Sequence, residues 1–305
     1  LPIFFADTRV TTIRTTSDDD APGGRRAIGI QGLTRDPESD STLLELSVSA
    51  DRVIIACGSI FSPILLARQA LGDQHGHLGE HLHLHPGGSV MAKMPQTVRL
   101  WDGATQGYYA HHPSEPEIIA ETYSAPLESL FSTASEIGFE AMNFMHDLDR
   151  MAACGAIIRD HSEGTVSPGD NGKADIVYRV DSDDFEQHAR GYQFIIDMFF
   201  EAGAEAVKPL VNGAEFTPSR NRAHQYVSDL RGPGGMTLYS SHPMGTCRMH
   251  ADPTRGVVRP SDGRLHDVLG LHVVDGSVFP TALGVNPQVT IMATAVAMAR
   301  GIARA

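Results

Sequence analysis

Two short runs, Arg52-Val53-Ile54-Ile55-Ala56 and Leu271-His272-Val273-Val274, are mostly apolar without strict alternation, and each stops at small polar residues, Cys57-Gly58 and Asp275-Gly276. Runs of this kind read as strands buried on both faces, as in a parallel sheet. Each is followed by a helix start. Ser62 is an N-cap residue and Pro63 suits a first helical position, which predicts a helix over 63–71. Asn286-Pro287 precedes an Ala- and Met-rich helix over 288–304. In open α/β sheets, ligands bind outside the carboxyl ends of strands, where helix N-termini offer N–H groups to anions. A cofactor crevice is therefore expected where these two strands end.

The rest of the chain narrows the class. The 305 residues carry a net charge of −13, which argues against a phosphate-backbone partner, so no nucleic-acid role is expected. Cys57, Cys154 and Cys247 share no CxxC spacing and cannot all pair, which disfavours a disulfide framework or zinc ribbon and fits a reducing, cytoplasmic setting. The most apolar long window, 279–299, is interrupted by Asn286, Pro287 and Gln288, so no transmembrane segment is expected. The chain opens Leu-Pro-Ile-Phe-Phe-Ala-Asp, without an initiator Met or a basic leader, and reads as starting inside a longer gene product.

Residues 8–15, 27–34, 43–49 and 51–56 are β-prone runs with turn residues between them, a meander feeding a core strand. From about 81 to 235 the texture changes to scattered aromatics, histidine pairs and polar loops, a separate substrate-facing layer. Within it, 183–207 has helical spacing, with Pro209 read as its stop. The resulting division is 1–80 as part of a cofactor domain, 81–235 as a substrate domain, and 236–305 as a return to the cofactor domain. His81, His83 and His85 alternate, but no carboxylate or cysteine joins them at metal-site spacing, so a packed loop is expected there and no metal. His111-His112 and Asp181–Asp184 read as solvated loop and helix start, and Cys247 as a small buried residue.

His242 stands in a small-residue loop, Ser241-His242-Pro243-Met244-Gly245-Thr246. A neutral imidazole can take a hydroxyl proton near neutral pH. Asn286, at the mouth of the last helix, can donate to the same oxygen and stabilise a developing alkoxide.

The pattern His-Pro-Met-Gly-Thr-Cys-Arg-Met (242–249), then Leu-His-Val-Val-Asp-Gly-Ser-Val-Phe-Pro (271–280), then Asn-Pro-Gln-Val-Thr-Ile-Met (286–292), resembles the C-terminal signature of the glucose-methanol-choline (GMC) flavoprotein oxidoreductases. Residues 56–66 and 78–86 resemble that family's second signature and the loop after it, and 7–13 the strand that meets the adenine. The resemblance implies FAD as cofactor, an alcohol as substrate and O2 or another acceptor. It implies His242 as the base that takes the alcohol proton while hydride moves to flavin N5, and Asn286 as the second active-site residue. It places Val10 at the adenine, Cys57 and Gly58 at the dinucleotide backbone, and Asp275 and Gly276 at the pyrophosphate and ribityl chain. Pro287, Gln288, Val289 and Thr290 would bring the last helix to the flavin. The histidine-rich run after 80 and the His/Asn pairing look closer to long-chain alcohol and sterol oxidases than to sugar oxidases.

The family's opening Gly-x-Gly-x-x-Gly turn does not occur in this sequence. The fold expected is thus α/β, an incomplete FAD-binding Rossmann-like domain plus an α+β substrate domain with an antiparallel sheet, completed by an N-terminal companion chain that carries the glycine turn. Without that half, the strands at 52–56 and 271–275 would lack sheet neighbours and expose long apolar edges. The competing function is a non-catalytic or regulatory subunit that keeps the fold without flavin; a lyase on the same fold has no distinct signal here.

Overall fold

A computed structural model describes residues 2–39, 41–124, 126 and 138–304. In chain order the described elements are β1 (Thr8–Ser17), β2 (Arg25–Arg35), β3 (Thr42–Ser49), β4 (Val53–Ile55), α1 (Gly58–Ala67), β5 (Gly87–Lys93), β6 (Tyr109–His111), β7 (Ile119–Thr122), α2 (Phe139–His146), β8 (Met151–Ile157), β9 (Thr165–Pro168), β10 (Ala174–Val177), α3 (Ser182–Glu201), β11 (Ala206–Pro209), α4 (Arg220–Ser228), β12 (Leu238–Tyr239), β13 (Val268–Leu269), β14 (Leu271–Val273) and α5 (Gln288–Arg304). The architecture is α/β with antiparallel sheets.

The meander forms as its turns dictate: β1, β2 and β3 pair antiparallel, and β13 adds in parallel to the start of β2. The two apolar runs of the sequence, expected to lack sheet neighbours without an N-terminal half, instead lie side by side as the parallel pair β4 and β14, with Val53 opposite Leu271 and Ile55 opposite Val273. Ile13, Ile55, Leu66, Leu271, Val273 and Met298 pack beneath them in one core. β14 is buried along its whole length, as expected, but β4 is not buried on both faces. Ile54 is 53% exposed, and among the described residues β4 has β14 alone as a ladder partner. Phe61 of α1 and Val289, Met292 and Val296 of α5 are exposed as well.

Six of the remaining strands build an antiparallel sheet in the order β11-β5-β8-β7-β6, with β12 also paired to β5, while β9 and β10 pair as a separate antiparallel hairpin. α3 covers it, seating Tyr192, Ile195 and Ile196 on Val90, Cys154, Ala156 and Val207. Gly88 permits this contact, because a β-carbon there would lie 2.2 Å from the Tyr192 ring.

Several local expectations are corrected. α1 begins at Gly58, not at Pro63, and Pro63 lies inside it. A proline removes one intrahelical bond and orphans the carbonyl four residues earlier. Here that carbonyl belongs to Ser59, and it accepts the Thr246 hydroxyl at 2.7 Å. Tertiary structure thus supplies the bond that the helix lacks. α3 stops at Glu201, with Gly203 in the left-handed region at φ 86°, and Pro209 sits instead in the edge strand β11. His111 belongs to β6. Asp184 is buried, accepting the His161 and Ser162 N–H groups, so the acidic run is only partly solvated. His81, His83 and His85 do not share a strand face, and His81 and His85 have φ of 61° and 50°. Among the described residues no cluster of three metal-ligating groups occurs, and no helix is long and apolar enough to cross a membrane. The three cysteines are free, with Cys247 and Cys154 buried.

Candidate active site

Asp275 joins the ends of the parallel pair. One carboxylate oxygen accepts the Gly58 N–H at 3.0 Å and the Ser62 hydroxyl at 2.6 Å; the other accepts the Ser277 N–H at 2.8 Å and its hydroxyl at 2.5 Å. All four bonds are internal. Asp275 therefore shapes the crevice floor by fixing the two turns against each other, and Ser62, expected as a helix cap, is spent on this brace. Gly58 has φ 75° and open space where a side chain would point, which leaves its backbone free to be approached. A β-carbon on Gly276 would lie 3.3 Å from Ile291, 3.4 Å from the Pro243 carbonyl and 3.7 Å from the Ser59 hydroxyl. The first turns of α1 and α5 and the His242 loop thus converge on that glycine. Val10 and Cys57 line one apolar trough of about 280 Å³ together with Ile13, Ile30, Ile54 and Leu65. Burial pushes the Cys57 thiol pKa up, so it is not a thiolate nucleophile.

The His242 loop is clamped immediately after the histidine. Ser59 Oγ donates to the Pro243 carbonyl at 2.7 Å, and Met244 exchanges backbone hydrogen bonds with His83 at 2.8 and 3.0 Å. β12 pairs with β5 so that Tyr239 faces Gly87, and the chain then shifts register by one residue: the antiparallel bridge His83–Met244 puts His242 opposite His85. Their Nδ1 atoms are 3.0 Å apart. Burial lowers the His242 pKa below its usual value, leaving a neutral ring with a lone pair at pH 7.

Asn286 enters from the other side. Its Nδ2 donates to Glu121 of β7 at 3.2 Å, and its Oδ1 is buried without a protein partner. One of its two amide N–H groups is thus taken, leaving the other and the carbonyl for a ligand. The His242 loop and the Asn286 loop share a core, in which Met244 packs with Phe279, Ala282 and Ile291. Pro287 accepts the Ile291 N–H at 2.8 Å as α5 begins; Gln288 and Val289 are exposed and Thr290 half-buried. Ser59, His85, Glu121 and Thr246 are the functional positions that sequence reasoning missed. Each gains its meaning from a partner more than a hundred residues away, and no local spacing announces it.

Two neutral histidines lie buried behind the site. Burial first, then the neighbouring His242, lowers the His85 pKa to about 4, and burial lowers that of His188 to about 4. Above pH 6.5 folded and unfolded chains both carry these rings neutral. Between 6.5 and about 4 the unfolded chain takes up protons that the folded chain refuses, so stability falls as pH falls through that window, by roughly 3 kcal/mol for each ring once the whole window is crossed. Urea denaturation at pH 7.5 and 5 measures the loss, and His188→Leu is expected to reduce it. An unchanged pH slope in that variant would rule out His188 as a source.

Residues 5–87 match the N-terminal model and residues 160–295 the C-terminal model of the GMC oxidoreductases. The chain belongs to the GMC oxidoreductase family. An uncharacterized GMC-type oxidoreductase of Mycobacterium tuberculosis is 31% identical over 276 residues, 90% of this chain and 42% of that protein. The long-chain-alcohol oxidase FAO1 of Arabidopsis thaliana is 28% identical over 288 residues, 87% of this chain and 37% of that one. The chain therefore spans about two fifths of the length of these relatives. Among solved structures, pyridoxine 4-oxidase from Mesorbium loti shares the fold with a TM-score of 0.65 at 18% identity, covering 98% of this chain and 57% of that one. A structure of Aspergillus oryzae formate oxidase, concerned with FAD modification, gives 0.65 at 17% identity, with 96% and 59% covered.

FAD is the cofactor of this GMC chain, and the residues present fit one side of it. The trough between Val10 and Cys57, the open backbone at Gly58 and the start of α5 offer an apolar wall, a close-approach point and a helix N-terminus.

Proposed function

We propose that this chain carries the substrate-oxidising half of an FAD-dependent alcohol oxidoreductase. The observation that carries the reading is His242, a desolvated neutral imidazole fixed at the convergence of α1, α5 and its own clamped loop. Val10, Cys57, Gly58, Gly276 and the 287–290 turn would hold FAD, with Asp275 bracing the turns beneath it. When bound, FAD supplies the acceptor for the carbinol hydride, transferred to its N5, and O2 or another oxidant regenerates it. His242 takes the hydroxyl proton, and the free amide N–H of Asn286 donates to the same oxygen as negative charge builds there.

The glycine turn that binds the pyrophosphate comes, in this proposal, from an N-terminal segment that adds to the open edge of β4. It covers Ile54, Phe61, Val289, Met292 and Val296. Its support is the length of the relatives, of which this chain spans about two fifths.

For substrate, the similarity to long-chain-alcohol oxidases favours a long-chain aliphatic alcohol, and the histidine-rich run with the His/Asn pairing extends the proposal to sterols. The test is the rate of flavin reduction across a panel of alcohols in the assembled enzyme. Aliphatic or sterol alcohols are expected to be fastest; faster reduction by glucose or choline overturns the substrate assignment, and no reduction by any alcohol overturns the function.

A further inference from the structure

His85 is buried, and its backbone lies in the left-handed region at φ 50°, uncommon for a residue other than glycine. The buried Asp160 carboxylate holds that backbone in place. One oxygen accepts the His85 N–H at 3.1 Å; the other accepts the Leu84 N–H at 3.0 Å and the Tyr178 hydroxyl at 2.7 Å. The His85 ring then meets His242 with Nδ1 against Nδ1 at 3.0 Å, the ring centroids 5.1 Å apart.

Two neutral imidazoles meeting in this way share one proton. With His85 as donor, His242 carries its own proton on Nε2 and offers no lone pair there; with His242 as donor, its Nε2 is a free base. A His242 that has taken a substrate proton has hydrogen on both nitrogens and keeps this contact only if His85 accepts. Asp160 below His85 and His188 from α3 are the other titratable groups acting on it. Burial and the neighbouring His242 hold His85 neutral at pH 7, so it does not compete for the proton.

We propose that His85 is a positioning residue for His242: it accepts the Nδ1 proton of His242 and thereby keeps the Nε2 lone pair open toward the alcohol. The proposal rests on His242 acting as the base. Its test is ring-nitrogen NMR of the full chain with 15N-labelled histidine at pH 7, His242 being assigned from the resonances lost in His242→Gln. The wild type is expected to show His242 protonated at Nδ1 and bare at Nε2. His85→Leu, which has no acceptor, is expected to shift His242 toward the Nε2-protonated form, and His85→Asn, which keeps an amide oxygen, to restore the wild-type pattern. A wild-type His242 protonated on Nε2 overturns the proposal even if no His85 variant folds, as does an unchanged tautomer in a folded His85→Leu chain. Flavin reduction separates the two levels: an unslowed His242→Ala enzyme removes the base reading and leaves the tautomer result standing, whereas a slowed enzyme with an unchanged tautomer removes only the role of His85.

Discussion

In the flavin-loaded enzyme, His242→Ala is expected to slow flavin reduction by an alcohol at least ~10²-fold, the loss typical of removing a general base. Substrate affinity should change much less, because the ring acts on the hydroxyl proton as it leaves and contributes little to holding the ground state. The residual rate should rise with pH, since hydroxide or an ionised alcohol then replaces the missing base. Stopped-flow reduction under anaerobic conditions separates this step from reoxidation. A rate within a few-fold of wild type at neutral pH would move the base elsewhere. The effect should not come from a collapsed loop, because the Ser59–Pro243, Thr246–Ser59 and Met244–His83 hydrogen bonds do not involve the imidazole.

Asp275→Asn should be a folding lesion more than a catalytic one. The aspartate accepts from four donors across two turns. An asparagine offers one oxygen and sets an amide N–H2 against donors on the other side, leaving buried donors without partners. The expected loss is ~2–4 kcal/mol, the range for breaking charge-assisted hydrogen bonds and stranding a buried donor. Chemical denaturation of the full chain measures it directly. A loss below about 0.5 kcal/mol, the size of an ordinary surface substitution, would contradict the bracing role. Flavin affinity should fall with stability, because the Cys57-Gly58 and Gly276-Ser277 turns would no longer be held in register.

Much of this was legible in the sequence. The meander, the last helix and the convergence of the 242 and 286 loops follow from apolar runs, turn residues and motif content, whereas the strands at 53–55 and 271–273, expected to lack sheet neighbours, pair with each other. The errors lie where a tertiary bond outranks a local signal. Ser62-Pro63 mimics a helix start, yet Asp275 captures Ser62 and Thr246 satisfies the carbonyl that Pro63 orphans, so α1 begins earlier. Pro209 mimics a helix stop, although Gly203 already provides one. His85 was visible only as one of three alternating histidines; its contact with His242 depends on the bridge between His83 and Met244, and that of Asn286 with Glu121 on the placement of β7. No window of neighbouring residues encodes either.

The measurement that bears most directly on the central claim is a visible spectrum with intact-mass analysis of this chain purified together with whatever associates with it in its native cell. The account predicts flavin absorbance in a complex, or a longer chain, that includes a segment bearing a Gly-x-Gly-x-x-Gly turn. A complete assembly that contains such a segment and remains colourless after FAD is added would contradict it, and would make this chain a structural subunit that keeps the fold without the chemistry.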